Sequence, residues 1–316
     1  MRIQTSALSC GIAVFAVLTS SFAFAEDSVA PGFTLSRYEP AERGSRYFTL
    51  ESLDWNATSP TLGVVIDYAY KPLVVYRVTA DDKQEIVAVA RHFAVGHVGG
   101  TFNLGPRIRL GVDLPVVMYA EGTTEQVGLV TYNAPHRSGL GDLRLGGDWR
   151  FYGAATHSVR AGLGVRLYLP TGDPLAYGGD STVRATLQLN AAGQIATHIA
   201  WAARVGAHVK GREATYAGAQ LGSELQAGVA AGFRTSDGRL LIGPEVAAST
   251  TLSHAFAAQS TSVDVMLGAH YDVTPNWRLG AGLGRGATVA LGSPSMRGLL
   301  TLDWIPFNTA GLEAQP

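Results

Sequence analysis

Cysteine is almost missing from this sequence: Cys10 is the only one in 316 residues. It lies within an apolar run, Ala7 to Phe24, behind Arg2 and ahead of Ala23-Phe24-Ala25, a small-x-small cleavage site before Glu26. That is the layout of a secretory leader over residues 1–25. A lipoprotein cysteine would follow the apolar run, so Cys10 is not read as lipidated. Cleavage leaves an exported chain with no disulfide, which something else must hold together.

Long hydrophobic runs are missing too. Beyond residue 25 none reaches the roughly 18 residues of a membrane helix, which argues against an inner-membrane protein. Charge is scarce, at 16% of residues, and without the leader 23 Lys and Arg face 25 Asp and Glu. The net of −2 comes without a basic patch, so nucleic acid is excluded as a partner.

The signatures of catalysis are also lacking. There is no G-x-S-x-G elbow, no P-loop and no H-E-x-x-H zinc pair. Gly282-Leu283-Gly284-Arg285-Gly286 lacks dinucleotide spacing and lies in a strand pattern. His136 and Ser138 share a loop, but a spacing of two in a loop makes no catalytic pair. Asp173 and Asp180 bracket an acidic loop that matches no calcium-binding spacing. The expectation is a non-enzyme with no cofactor and no metal.

What is there is alternation. In residues 139–173 Leu143, Leu145, Trp149 and Phe151 share one face, and Asp142, Arg144, Asp148 and Arg150 the other. A period of two means strands with one oily and one polar face. Each run suits a tilted membrane strand of roughly 9–11 residues. Strands are expected at about 61–77, 86–101, 106–119, 140–151, 157–169, 181–191, 195–210, 222–234, 238–251, 260–272, 276–287 and 294–305. Short and long connectors alternate between them, as in outer-membrane barrels whose short turns are periplasmic. The fold class is therefore all-β: a transmembrane antiparallel β-barrel of about twelve strands over residues 61–306. Fourteen is the alternative if residues 47–55 span. Residues 26–60 read as a periplasmic lead-in or plug, and 307–316 as a tail.

Trp149, Phe151, Phe233, Tyr271, Trp277 and Trp304 fall on the oily face near the short-turn ends, as one aromatic girdle at a membrane interface. Trp201 reads as mid-strand and stands outside this pattern. The polar face carries glycine and twenty charges, twelve basic and eight acidic, among them Arg107, Arg144, Asp148, Arg160, Arg166, Arg204, Glu224 and Glu245. Two expectations follow. The charges form a salt-bridge ladder closing a narrow barrel, or they line a conduit that favours anions. For a conduit, Arg144, Asp148, Arg160 and Arg166, on neighbouring strands, are the expected selectivity ring.

Several stretches carry family resemblances. RYEPAERGSRYFTLESLDW, TLGVVIDYAYKPLVVYR, GLGDLRLGGDWRFYG, YLPTGD and LGAHYDVTPNWRLGAGLG resemble N-terminal barrel domains attached to OmpA-like peptidoglycan-binding modules. LGDLRLGGDWRF followed by LPTGD is similar to outer-membrane transporter-like proteins of the phenol meta-cleavage pathway. The first resemblance implies cell-wall tethering only where a helical domain follows, and this sequence stops at Pro316. The second implies uptake of small hydrophobic molecules. The expected function is thus a passive channel for small solutes in the outer membrane of a Gram-negative cell. A closed barrel that presents residues 121–138 to a protein partner is the alternative.

Overall fold

The computed structural model describes residues 28–29, 32–55, 57–78 and 83–306. The leader and the C-terminal tail expected from the sequence lie outside these residues.

Twelve antiparallel strands close on themselves. They are β1 (Ser59–Val78), β2 (Lys83–Leu104), β3 (Ile108–Glu121), β4 (Leu143–Tyr152), β5 (Val159–Leu169) and β6 (Arg184–Ala196). Then follow β7 (Ile199–Lys210), β8 (Glu224–Arg234), β9 (Leu240–Thr251), β10 (Thr261–Thr274), β11 (Trp277–Gly286) and β12 (Met296–Trp304). Each pairs with its neighbours, and β12 returns to β1 with Trp304 opposite Leu62. Closure leaves no unpaired edge, as membrane strands require.

The pleat sorts the side chains. Leu62, Val64 and Ile66 of β1, Leu187 and Leu189 of β6, and Val205 and Val209 of β7 are exposed on the outer wall. Asp67, Asn190 and His208 of the same strands are buried inside. A soluble protein does not expose apolar surface around its whole girth. Lipid makes that surface favourable.

Five short turns connect the strands at one end, and the first strand starts and the last ends there. Gly105 turns β2 into β3 in the left-handed region, with φ of 72°. Arg107, expected in the lumen, sits in this turn and is exposed. The strand starts at Ile108, one residue pair later than the alternation predicts. At the other end the connections are longer. A hairpin, Glu125–Val127 with Val130–Tyr132, rises from the loop after β3. Ser28–Val29 adds to it as a parallel strand. β1 and β2 run on past their neighbours, paired as far as Val78 with Lys83, so β2 starts earlier than the sequence suggested.

Residues 47–55 form no strand, so the fourteen-stranded alternative is set aside. Residues 32–55 have no regular structure and run inside the barrel, largely buried. Phe33 packs edge-on to Tyr177 and Tyr216, both in long-end loops, with ring centroids 5.4 and 5.1 Å away. These rings join Leu35, Leu73 and Val89 in an apolar cluster over the long-loop mouth. The segment then descends to Trp55, near the start of β1 at the short-turn end.

Candidate functional site

The lumen is filled from within, so the candidate site is the meeting of residues 32–55 with the wall. That segment contains four acidic side chains, Glu39, Glu42, Glu51 and Asp54. Each finds a cationic or hydroxyl partner. β3, β4 and β5 bring Arg109, Arg144, Asp148 and Arg166 to one inner patch, because their residues alternate inward at adjacent register positions. Arg166 reaches Asp148 at 2.9 Å, Glu42 at 2.9 Å and Glu51 at 3.0 Å. Arg109 bonds Glu51 and lies 2.7 Å from Asp148. Arg144 lies 3.5 Å from Glu42 and donates to the Pro40 carbonyl at 2.7 Å. Three guanidiniums thus face three carboxylates, one from the wall and two from the segment. Buried charges persist when paired and hydrogen-bonded in this way.

Close approach needs small residues on the wall. A Cβ at Gly146 would collide with the Glu42 carboxylate, and one at Gly268 with the Phe48 ring. Among the inward glycines expected from parity, Gly146, Gly228 and Gly282 leave space for this segment, facing Glu42, Leu50 and Phe48.

The far wall holds it as well. Glu245 of β9 accepts from the Phe48 amide at 2.7 Å, the Thr49 amide at 3.1 Å and the Thr49 hydroxyl at 3.2 Å. Glu224 of β8 pairs with Arg37. Tyr168 donates to Glu39 at 2.7 Å. Arg46 pairs with Asp272 at 2.9 Å and faces Asp54 at 3.4 Å. Burial works against the Glu51 carboxylate, but Arg109 and Arg166 outweigh it and hold its pKa below the usual range. Asp54 is likewise held low, burial being outweighed by Arg46, Arg160 and Arg278.

The expected ring is thus brought together in part. Arg144, Asp148 and Arg166 meet. Arg160 does not; it sits nearer the short-turn end and donates to the carbonyls of Ser52, Ala155 and His157 at 3.2, 3.0 and 2.8 Å. Arg204 points inward from β7, and its Nε has no hydrogen-bond partner among the described residues. Glu224 and Glu245 hold the segment rather than complete a ring. Arg109, one of the inward charges expected from parity but not placed in the ring, is central to the cluster, as are Glu42 and Glu51, which the alternation does not reach. Asp173 and Asp180 take structural roles: Asp173 caps a short turn through the Leu175 amide at 2.9 Å, and Asp180 pairs with Arg184 at 3.1 Å and Lys210 at 3.2 Å.

Below the cluster a cavity of about 300 Å³ opens at the short-turn end, lined by Arg46, Asp54, Trp55, Arg160, Arg234 and Leu241, among others. Outside, Trp149, Phe151, Phe233, Tyr271 and Trp277 are exposed near that end, and Trp304, opposite Trp277, is partly covered. Trp201 faces outward only two residues beyond the start of β7 at Ile199. It therefore stands at the level of the other rings, not mid-strand.

The family model described as MetA-pathway of phenol degradation matches residues 25–291. The crystal structure of an outer membrane channel from Pseudomonas putida F1 is similar, with a TM-score of 0.59 at 16% identity, over 80% of this chain and 97% of that one. The NanC porin shares 7% identity and aligns with a TM-score of 0.49, over 77% of this chain and 97% of the porin. The KdgM porin shares 9% identity with a TM-score of 0.44, over 77% and 98%. No curated protein matches the sequence. The family model supports the phenol-pathway resemblance, the Pseudomonas putida channel supports the barrel fold, and neither supports the OmpA-like resemblance.

Proposed function

This chain belongs to the family described as the MetA-pathway of phenol degradation, and from that premise we propose that it is an outer-membrane channel for small solutes, not an enzyme, with its own N-terminal segment as a plug. One observation carries the reading: a closed barrel, apolar outside and ionic inside, encloses a segment whose buried carboxylates and backbone amides are held by charged side chains of the wall, beside apolar packing at Phe33, Phe48 and Leu50. The ion pairs add little net stability over apolar residues of similar volume, so they are not needed merely to fill the lumen. Ionic seats can exchange partners with water and with solute. The solute passes by diffusion, and the family assignment favours small hydrophobic molecules. Arg144, Asp148 and Arg166 act first as seats for the plug and line the path once it shifts.

The test is single-channel recording of the mature protein in a planar bilayer, beside the double variant Glu42→Gln, Glu51→Gln. Small, steady currents in the parent and larger or more frequent openings in the variant are expected. Folding is verified by the heat-dependent gel shift typical of barrels. Silence from both folded proteins would sink the channel reading.

The apolar cluster over the long-loop mouth favours a second reading, a closed barrel whose loops meet a protein partner. Proteolytic trimming of residues 121–138 separates the two. A channel keeps conducting, whereas a loop-dependent binder loses its partner.

A further inference from the structure

The cavity at the short-turn end is rich in donors and poor in acceptors. Arg46, Arg160 and Arg234 line it, against a single acid, Asp54. Asp54 is already engaged by Arg46 at 3.4 Å and by the Ser52 hydroxyl at 2.5 Å. Among the described residues no carboxylate lies within 4 Å of Arg160 or Arg234. Arg160 is bonded only to backbone carbonyls, and Arg234 has one long contact, to the Gly238 carbonyl at 3.4 Å. The other arginines that line the cavity, Arg43, Arg109 and Arg278, each have a carboxylate within 4 Å. Positive charge is thus left over here.

A second observation is independent of charge. Trp55 lines the same cavity, is 9% exposed, and its indole Nε1–H has no hydrogen-bond partner among the described residues. A buried donor without an acceptor is costly, and a ligand oxygen removes the cost. Burial first, and after it the neighbouring Arg278, push the Arg46 guanidinium down to about 10. The remaining lining includes apolar side chains, Tyr47, Ala200, Leu241 and Ile305. The cavity volume is at the lower end of the range of small-molecule sites, roughly 300–1,000 Å³.

We propose that this vestibule binds a small organic carboxylate, its oxygens taken by Arg160, Arg234 and the Trp55 indole and its apolar body set against Tyr47 and Leu241. The guanidinium fork suits a carboxylate's two oxygens. The assignment deepens the channel reading by naming a solute class for the periplasmic side of the path. It does not need the plug to move, because the cavity reaches solvent past the exposed Thr156.

Calorimetric titration of the folded, detergent-solubilised protein with benzoate tests it, with benzyl alcohol, acetate and sulfate as comparison ligands. Saturable benzoate binding is expected, stronger than that of the other three. Arg234→Gln should weaken it about tenfold or more, the loss of a charged hydrogen-bond donor. Trp55→Phe keeps the ring and removes only the donor, and should weaken it to a lesser degree. Arg160→Lys, which keeps the charge and loses the fork, should retain more of the affinity than Arg160→Gln. Failure of benzoate to bind would overturn the assignment. So would equal binding of benzyl alcohol, equal binding of sulfate, or indifference to both Arg234→Gln and Trp55→Phe. The titration is read without current: a protein that binds benzoate but never conducts loses the channel reading and keeps the site.

Discussion

At the scale of single residues, Arg166 has the most to hold. It faces Asp148, Glu42 and Glu51 at once. Removing one partner of a buried ionic cluster strands the rest, at a cost of about 3–5 kcal/mol. Arg166→Ala should therefore lower the urea midpoint of the folded barrel and raise its open probability. Arg166→Glu should do both more strongly. Arg160→Glu should leave the cluster intact, since that side chain lies elsewhere; a stability loss as large as that of Arg166→Glu would show the two to be one unit. The low pKa values of Glu51 and Asp54 set a pH window. Groups held below their unfolded values stabilise above roughly pH 4 and lose that contribution as pH falls through the lowered values. In a variant whose only tryptophan is Trp55, the fluorescence maximum should stay fixed from about pH 7 to 5 and shift only in stronger acid. A shift complete by about pH 5 would remove these two carboxylates as seats.

At the scale of elements, β10 shows how tightly segment and wall are matched. Gly268 leaves room for Phe48, and a side chain there must displace the ring. Gly268→Leu should fold as a barrel, since its neighbours in the register are unaffected, yet conduct more than the parent in the same bilayer assay. The strands themselves were legible because pleat and membrane together impose a strict period of two. β3 to β12 lie within a few residues of where that period places them. Trp201 reads as mid-strand because the sequence alternation runs back to 195, whereas β7 begins at Ile199 and sets the ring near the interface. The segment at 32–55 was not legible in this way. It has no period, and its partners are remote in sequence: Glu51 and Arg166 are 115 residues apart. Parity told which way Glu224 and Glu245 point, but a direction does not name a partner. The cavity behind Arg234 needed both the wall and the segment to be placed.

At the scale of the molecule, the two ends of the barrel differ. One is narrowed by loops and aromatic packing around Phe33, and the other opens on uncompensated arginine. Solutes entering from the two sides should therefore meet unequal barriers. Currents through a singly oriented channel should rectify with voltage, and Arg234→Gln should reduce that asymmetry. A symmetric current–voltage curve in the parent would contradict the polarity of the path.

The segment meets the long-loop mouth at Ser28–Val29 and joins β1 at the opposite end. The finished molecule is consequently a bead on its own string: the hoop is drawn shut by Leu62 and Trp304 around a strand of chain that passes right through it. Threading and closure are one problem during assembly. Whatever precedes residue 28 must travel through the hoop, or the hoop must form around it. A fast-folding globular domain fused ahead of residue 28 should jam that step, and the same domain on a long unfolded leash at the other terminus should not.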